Sequence, residues 1–325
     1  VSGQVTLEVL VGPEERRAAL CQDVARGLTS SPKALPPVWF YDETGSRLFE
    51  AITELPEYHL TRAERQILEE RAGEIAEISQ AEVLVELGSG TSEKTRLLLD
   101  ALAGSGTLRR IVLLDISAEV LAEAARTLAD HYQVAVHGVV GDFRRHLGAL
   151  RSPGRQLVCF LGSTIGNLLP QERAGFLARL AGQLGREDHF LLGTDLCRDP
   201  ARLALAYDDP AGLTAAFNLN LLGVLNRELR AGFDPARFAH RVRWCAEPGW
   251  VEMLLVATEA QRVPIADLEL EVIFEAGEAL RTEVSTKFRP EQVAQELAQA
   301  GLTLQRSFAD PAGDFQLALV APRLP

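Results

Sequence analysis

The chain has 325 residues, 47% hydrophobic and 24% charged, which is the balance of a soluble globular protein long enough for one large domain and a smaller one. Its 45 acidic residues outnumber 33 basic ones, and the formal net charge of −12 repels a phosphate backbone or an anionic bilayer, so nucleic acid and membrane are disfavoured as partners. Cys21, Cys159, Cys197 and Cys245 are scattered and form no CxxC pair, which argues against a disulfide framework or a zinc site and fits a reducing, cytoplasmic setting.

No apolar run reaches the roughly 18 residues of a membrane span. The first residues lack the basic, apolar, small-residue order of a signal peptide. The chain opens on Val1 and its one methionine is Met253, so its start reads as a processed end or a start-codon artefact.

In chain order, residues 12–30 read as a helix, broken by the string Ser31-Pro32-Lys33-Ala34-Leu35-Pro36-Pro37. An aromatic stretch, Trp39-Phe40-Tyr41, precedes a turn at 42–45. A helix is predicted over 61–79, with Thr61 as its N-cap and Glu64 at capping-box spacing. Then strands alternate with helices: strand 82–87, helix 92–103, strand 111–114, helix 117–131, strand 134–140, strand 157–161, helix 170–184 and strand 190–193. These strands are continuous apolar runs, as expected of a parallel sheet covered on both faces. The alternation stops near 197. Residues 198–230 read as helical, and 250–257, 268–274 and 281–287 read as antiparallel strands. A helix over 289–300 carries Pro290 at its start, and 302–307 with 315–320 can form a terminal hairpin.

The expected fold class is therefore α/β: a Rossmann-like domain, 62–197 plus 287–325, with a smaller α+β domain, 1–61 plus 198–286.

The string Val85-Glu86-Leu87-Gly88-Ser89-Gly90-Thr91 ends the first strand of the alternation, where glycines let the backbone approach a nucleotide. A pyrophosphate fingerprint would need a third glycine where Glu93 stands, and a carboxylate there faces a pyrophosphate badly. S-adenosylmethionine has no phosphate and tolerates acidic neighbours. Asp115, at the next strand end, suits both ribose hydroxyls; Asp142, one strand further, suits the adenine amine, with Phe143 for the ring face. Asp142 alone serves equally as a helix N-cap. A nicotinamide-dependent oxidoreductase is the competing reading, and Glu93 opposes it.

Two strings carry a resemblance, Glu86-Leu87-Gly88-Ser89-Gly90-Thr91-Ser92-Glu93-Lys94-Thr95 and Phe160-Leu161-Gly162-Ser163-Thr164-Ile165-Gly166-Asn167. Leu55-Pro56-Glu57-Tyr58, Ala206-Tyr207-Asp208-Asp209, Thr282-Glu283-Val284-Ser285 and Lys287-Phe288-Arg289-Pro290 extend it along nearly the whole chain. The sequence resembles the histidine Nα-methyltransferases of ergothioneine biosynthesis. The resemblance implies trimethylation of the α-amine of L-histidine to hercynine by S-adenosylmethionine, without a metal, in a two-lobed monomer with the amino acid between the lobes. It assigns Gly88, Lys94, Asp115, Asp142 and Phe143 to the methyl donor. Asn167 and Tyr207 are implied for the substrate carboxylate, Glu283 and Ser285 for the imidazole, Phe49 and Tyr58 for the pocket lining, and Tyr41 for the neighbourhood of the amine. His59 departs from the family, where an aromatic such as Tyr is expected, and reads as a rim or packing residue.

The residue types suit histidine. Glu283 and Ser285 are two apart in a strand, so they share a face with Cα atoms about 6.5–7 Å apart, a span that brackets one imidazole. Met253 serves either as a soft wall against the ring or as plain core. Without the resemblance, Glu283 reads as a cross-strand partner of Arg281 or Lys287. The remaining alternatives are a methyltransferase for another amino acid or small amine, and a non-catalytic binding module. An adenine-N6 methyltransferase is disfavoured because Gly162–Asn167 stands where an NPPY-type string would be.

Overall fold

The computed structural model describes residues 3–323. Val1, Ser2, Leu324 and Pro325, to which the expected domain ranges and the reading of the chain start extend, lie outside the described residues. In chain order the strands are β1 (Val5–Val9), β2 (Lys33–Ala34), β3 (Val83–Leu87), β4 (Arg110–Asp115), β5 (Ala135–Val140), β6 (Gln156–Phe160), β7 (His189–Asp195), β8 (Phe238–Cys245), β9 (Trp250–Ala257), β10 (Gln261–Ile265), β11 (Leu270–Phe274), β12 (Ala279–Thr286), β13 (Leu302–Ala309) and β14 (Phe315–Pro322). The helices are α1 (Pro13–Thr29), α2 (Glu43–Thr53), α3 (His59–Ser79), α4 (Arg96–Gly104), α5 (Ala118–Tyr132), α6 (Pro170–Ala181), α7 (Pro200–Tyr207), α8 (Leu213–Leu229) and α9 (Pro290–Gln299). The chain divides into two compact units, Val1–Val11 with Leu60–Cys197 and Phe288–Pro325, and Gly12–His59 with Arg198–Lys287.

The larger unit is built on one sheet in the order β1-β5-β4-β3-β6-β7-β14-β13. Pairings from β1 to β7 are parallel, while β14 runs antiparallel to β7 and β13 antiparallel to β14. All five residues of β3 are buried, as a central strand requires. The strand order reverses beside β3, between β4 and β6, and the carboxyl ends of strands at such a switch point form the binding crevice of open α/β sheets. The reversed hairpin β13–β14 sets this sheet apart from the all-parallel dinucleotide fold. One strand departs from expectation. β1, inside the 1–61 range expected of the smaller domain, pairs with β5, Val5 against Val136 through Val9 against Val140. Leu7 lies over Gly138, where an added Cβ would come within 2.7 Å of its Cδ2.

Two helix starts also differ. α3 begins at His59, so Thr61 lies inside the helix and does not cap it. α4 begins at Arg96 rather than at 92, because Ser92 takes a left-handed conformation (φ 56°) and residues 93–95 form turns instead.

The smaller unit holds a four-stranded sheet, β2-β12-β9-β8, and a separate β10–β11 hairpin. β8, β10 and β2 were absent from the sequence expectation. In β8 the inward row is Phe238, His240, Val242 and Trp244, and the buried histidine interrupts the apolar alternation that marks a strand. The helix expected over 198–230 is two helices. Gly212 (φ 74°) ends the connection, and Asp209 accepts the backbone N–H groups of Leu213 (3.0 Å) and Thr214 (2.8 Å) to start α8. Leu221, Leu222, Leu225 and Leu229 of α8 are buried. Among the described residues no helix is long and apolar enough to cross a membrane.

Candidate active site

In the larger unit the loop after β3 turns through Gly88 (φ 70°) and Gly90 (φ 48°), both in the left-handed region that favours glycine. A Cβ built at either position meets nothing within 4 Å, so the space before the loop is open to a ligand. The backbone N–H groups of Gly88 and Ser89 donate to the Leu114 carbonyl at the end of β4. Asp115 ties the two turns together: one oxygen accepts Gly90 N–H at 2.9 Å and the other accepts Ser117 N–H at 2.9 Å. Both oxygens are thereby fixed in a half-buried side chain.

Beneath the loop sits Glu86, 5% exposed. The hydroxyls of Ser92 (2.7 Å) and Thr95 donate to its two oxygens. Burial raises its pKa from 4.5 to about 7, against the pull of those hydroxyls and of Lys94. Glu86 thus holds the turns that delay α4.

Glu64, a capping residue in the sequence reading, has a different place. Its side chain has no solvent exposure, accepts the Gly162 N–H at 2.8 Å, and pairs with the Lys94 ammonium. Gly193 on β7 leaves room for it; a Cβ there would come within 2.4 Å of the carboxylate. The loop after β6 then turns through Gly162 and Ser163, both at positive φ, into a short 3-10 helix that ends at half-buried Asn167. Ser163 Oγ accepts the Asp195 N–H at 2.9 Å.

Asp142 follows β5. Its carboxylate accepts the Arg144 backbone N–H at 2.8 Å and forms a fork with the Arg144 guanidinium, whose Nη2 stands 2.8 Å away. The sequence reading missed Arg144. Asp142 therefore caps a turn and carries an ion pair, and no α-helix follows it directly. Phe143 packs on Phe160 and Phe176, with centroids at 4.9 and 5.8 Å, and stays half-buried.

In the smaller unit Tyr41, Phe49 and Tyr58 come together. Phe49 meets Tyr41 edge-on at 5.6 Å and Tyr58 at 6.2 Å. Phe217 of α8, absent from the sequence reading, is the hub: it lies 5.7 Å from Tyr41, 5.9 Å from Phe49 and 4.6 Å from Phe40. His59 is buried, 7% exposed, which favours packing over a rim position.

On the sheet, Glu283 of β12 stands opposite Met253 of β9, and Ser285 opposite Val251. A bulge between Arg281 and Glu283 sets this register, so Glu283, Ser285 and Met253 share one face while Arg281 turns to Glu252 at 3.5 Å. Met253 is 2% exposed. Tyr207, at the end of α7, donates its hydroxyl to Ser285 Oγ at 2.8 Å. Lys287, fully buried, donates to both: 2.7 Å to Tyr207 Oη and 3.0 Å to Ser285 Oγ. His240 braces Tyr207 from behind. Its Nε2 lies 2.9 Å from the Tyr207 carbonyl and its Nδ1 2.8 Å from the Asn218 amide, whose oxygen accepts the Thr282 hydroxyl at 2.7 Å. Burial lowers the His240 pKa, which suits a neutral ring donating from Nε2 and accepting at Nδ1.

A positive-φ glycine turn after the central strand, acidic side chains at the two following strand ends and a reversed terminal hairpin make the larger unit a Rossmann-like methyltransferase domain. The family model described as histidine-specific, SAM-dependent methyltransferase matches residues 20–322, and the chain belongs to that family. The histidine N-alpha-methyltransferase of Mycolicibacterium smegmatis is 54% identical over 302 residues, 93% of this chain and 94% of that protein. Its counterpart from Mycobacterium tuberculosis is 53% identical over 312 residues, 96% and 97% of the two chains. Ergothioneine biosynthesis protein 1 of Neurospora crassa is 38% identical over 194 residues, 58% of this chain and 22% of that one. A solved S-adenosylmethionine-dependent methyltransferase from Clostridium acetobutylicum overlays 79% of this chain and 92% of its own, at 12% identity and a TM-score of 0.44.

Proposed function

We propose that the protein methylates the α-amine of L-histidine three times, with S-adenosylmethionine as donor, giving hercynine as the first step towards ergothioneine. The observation that carries this reading is the 54% identity, over 93% of the chain, to a protein named histidine N-alpha-methyltransferase. When bound, S-adenosylmethionine supplies an activated methyl on a sulfonium, transferable by in-line displacement to a neutral amine.

The chain's own residues fit both substrates. Gly88 leaves the loop open, Asp115 presents oxygens for ribose hydroxyls, and the half-buried ring of Phe143 has one side for adenine. Lys94, steadied by Glu64, is assigned to the donor side. Asp142 takes the adenine amine while Arg144 orients it. In the smaller unit, Glu283 accepts an imidazole N–H, Ser285 bonds the ring's second nitrogen, and Met253 forms the wall opposite Glu283. Tyr207 is assigned to the substrate carboxylate, Phe49 and Tyr58 to the pocket lining, and Tyr41 to the amine. For Asn167 the carboxylate assignment rests on its motif alone.

The rate comes mainly from holding nucleophile and methyl group about 3–3.5 Å apart and aligned. The α-amine is mostly protonated at neutral pH, its peptide reference pKa being about 7.7–8.0, so a proton must leave before each transfer. Tyr41 suits this stage, since a phenol both donates and accepts and so follows the amine as it loses its N–H groups. The net charge of −12 and the free cysteines support a cytoplasmic protein acting on small molecules rather than on nucleic acid or membrane, and the reading as a monomer rests on the family resemblance alone.

The test is mass spectrometry of the purified protein with S-adenosylmethionine and the twenty amino acids. Histidine gaining up to three methyl groups, with the others unchanged, is expected. Methylation of another amino acid would overturn the substrate, and no methylated amino acid would overturn the reading as an amino acid methyltransferase.

A further inference from the structure

Asp142 is held by its main chain as well as by Arg144. β5 ends at Val140, and the Gly141 N–H still donates to the Asp115 carbonyl of β4 at 2.9 Å. At the next residue the ladder is over, and the Asp142 N–H donates to Nδ1 of His146 at 3.0 Å. The Asp142 carbonyl accepts the backbone N–H groups of Arg145 and His146, both at 2.9 Å. Nδ1 lies 3.1 Å from that carbonyl oxygen too, but the oxygen has two donors while the N–H needs an acceptor. Nδ1 therefore accepts, and the ring proton sits on Nε2. The ring rests against Gly141, where an added Cβ would come within 3.1 Å of Nδ1. His146 thus grips both main-chain polar groups of Asp142, one with its ring and one with its backbone.

We infer that His146 is a positioning residue for the methyl donor, setting through its ring the peptide from which the Asp142 carboxylate reaches the adenine amine. Arg144 bonds the carboxylate itself, so ring and guanidinium act on opposite ends of one residue. The chain that follows makes the ring a fixed support. A short 3-10 helix runs from Leu147 to Leu150, and both of these leucines belong to the buried core of the large sheet. The Ala149 N–H donates back to the His146 carbonyl at 3.1 Å. Core packing at 147 and 150 is thereby passed through one imidazole to Asp142. Asp142 and His146 each keep some solvent exposure, so the turn is reachable by a ligand.

This inference rests on the assignment of Asp142 to the adenine amine, so Asp142→Ala is measured first, by calorimetric titration with S-adenosylhomocysteine. Unchanged affinity there would end that assignment and the inference with it. His146→Leu removes the acceptor at similar size and should weaken S-adenosylhomocysteine about three- to tenfold, the worth of one hydrogen bond. His146→Asn should recover most of the loss, because its amide oxygen can accept where Nδ1 does. Adding His146→Leu to Asp142→Ala should cost little more, since no carboxylate remains to be positioned. Wild-type affinity in His146→Leu beside a weakened Asp142→Ala would overturn the inference and leave the Asp142 assignment standing.

A second ligand separates positioning from plain structural support. S-inosylhomocysteine carries an oxo group where adenine has its amine, so it offers the carboxylate nothing to accept. His146→Leu should change its affinity by less than about twofold. A histidine that merely holds the loop together would weaken both ligands alike, and that result overturns the inference. Should His146→Leu not fold, Gly141→Ala takes its place, since the added methyl presses on the ring. The same split between the two ligands is then expected, and equal weakening overturns the inference.

Discussion

The ammonium of Lys94 pairs with the carboxylate of Glu64, a side chain with no solvent exposure, which also accepts the Gly162 N–H at 2.8 Å. One carboxylate on α3 thereby joins the turn after β3 to the loop after β6, the two strand ends that flank the switch point. Glu64→Ala would leave the Gly162 N–H and the Lys94 charge without their acceptor. A loss of about 2–4 kcal/mol is expected, and less for Glu64→Gln, whose amide oxygen still accepts. Urea unfolding measures it. A loss under about 1 kcal/mol would mean that the bridge contributes little.

Gly193 should be intolerant of a single methyl group. The added Cβ would lie 2.4 Å from the Glu64 carboxylate and 3.2 Å from the Phe315 ring, on backbone that can move little inside a sheet. Gly193→Ala is expected to cost about 1–3 kcal/mol, and clearly less in a Glu64→Ala background. Equal costs in the two backgrounds would show that Glu64 is not what excludes the methyl.

Glu86 gives stability a pH dependence. Its folded pKa of about 7 lies above the reference 4.5, so the folded protein binds the proton more tightly than the unfolded chain. The contribution is fully present below pH 4.5 and is lost as pH rises through about 7, a change on the order of 3 kcal/mol. Glu86→Gln should remove this slope, read as the difference in Tm between pH 5 and pH 8 for variant and wild type. Identical slopes would place the Glu86 charge in water.

Glu283 and Asp115 should separate the two ligands. Glu283→Ala is expected to weaken histidine binding about tenfold or more and donor binding hardly at all; Asp115→Ala should do the reverse. Titration calorimetry with each ligand alone decides both. Unchanged histidine affinity in Glu283→Ala would remove that residue from the imidazole site, and unchanged donor affinity in Asp115→Ala would end the ribose assignment.

Much of the larger unit was readable because its signals are local. Residues 83–87 form a continuous apolar run around Glu86, the glycines follow at once, and Pro290 starts α9 where a proline costs no hydrogen bond. Each misreading has its own physical cause. Thr61 and Glu64 match a capping box, but the carboxylate is claimed by Gly162, 98 residues away. Ser92 reads as helical until Glu86 captures its hydroxyl. β1 carries mostly exposed side chains, so its pairing with β5 leaves no hydrophobic pattern.

The sequence by itself determined the strand–helix alternation from β3 to β7, the glycine turn after the central strand and the acids at the next strand ends, because each depends on a few neighbouring residues and on backbone conformation. The tertiary structure alone decided which polar groups meet. Glu64 meets Lys94 across 30 positions and Gly162 across 98, and Lys287 reaches Tyr207 across 80. A buried polar side chain must find a partner wherever the fold offers one, and that partner's distance along the chain leaves no local pattern to read.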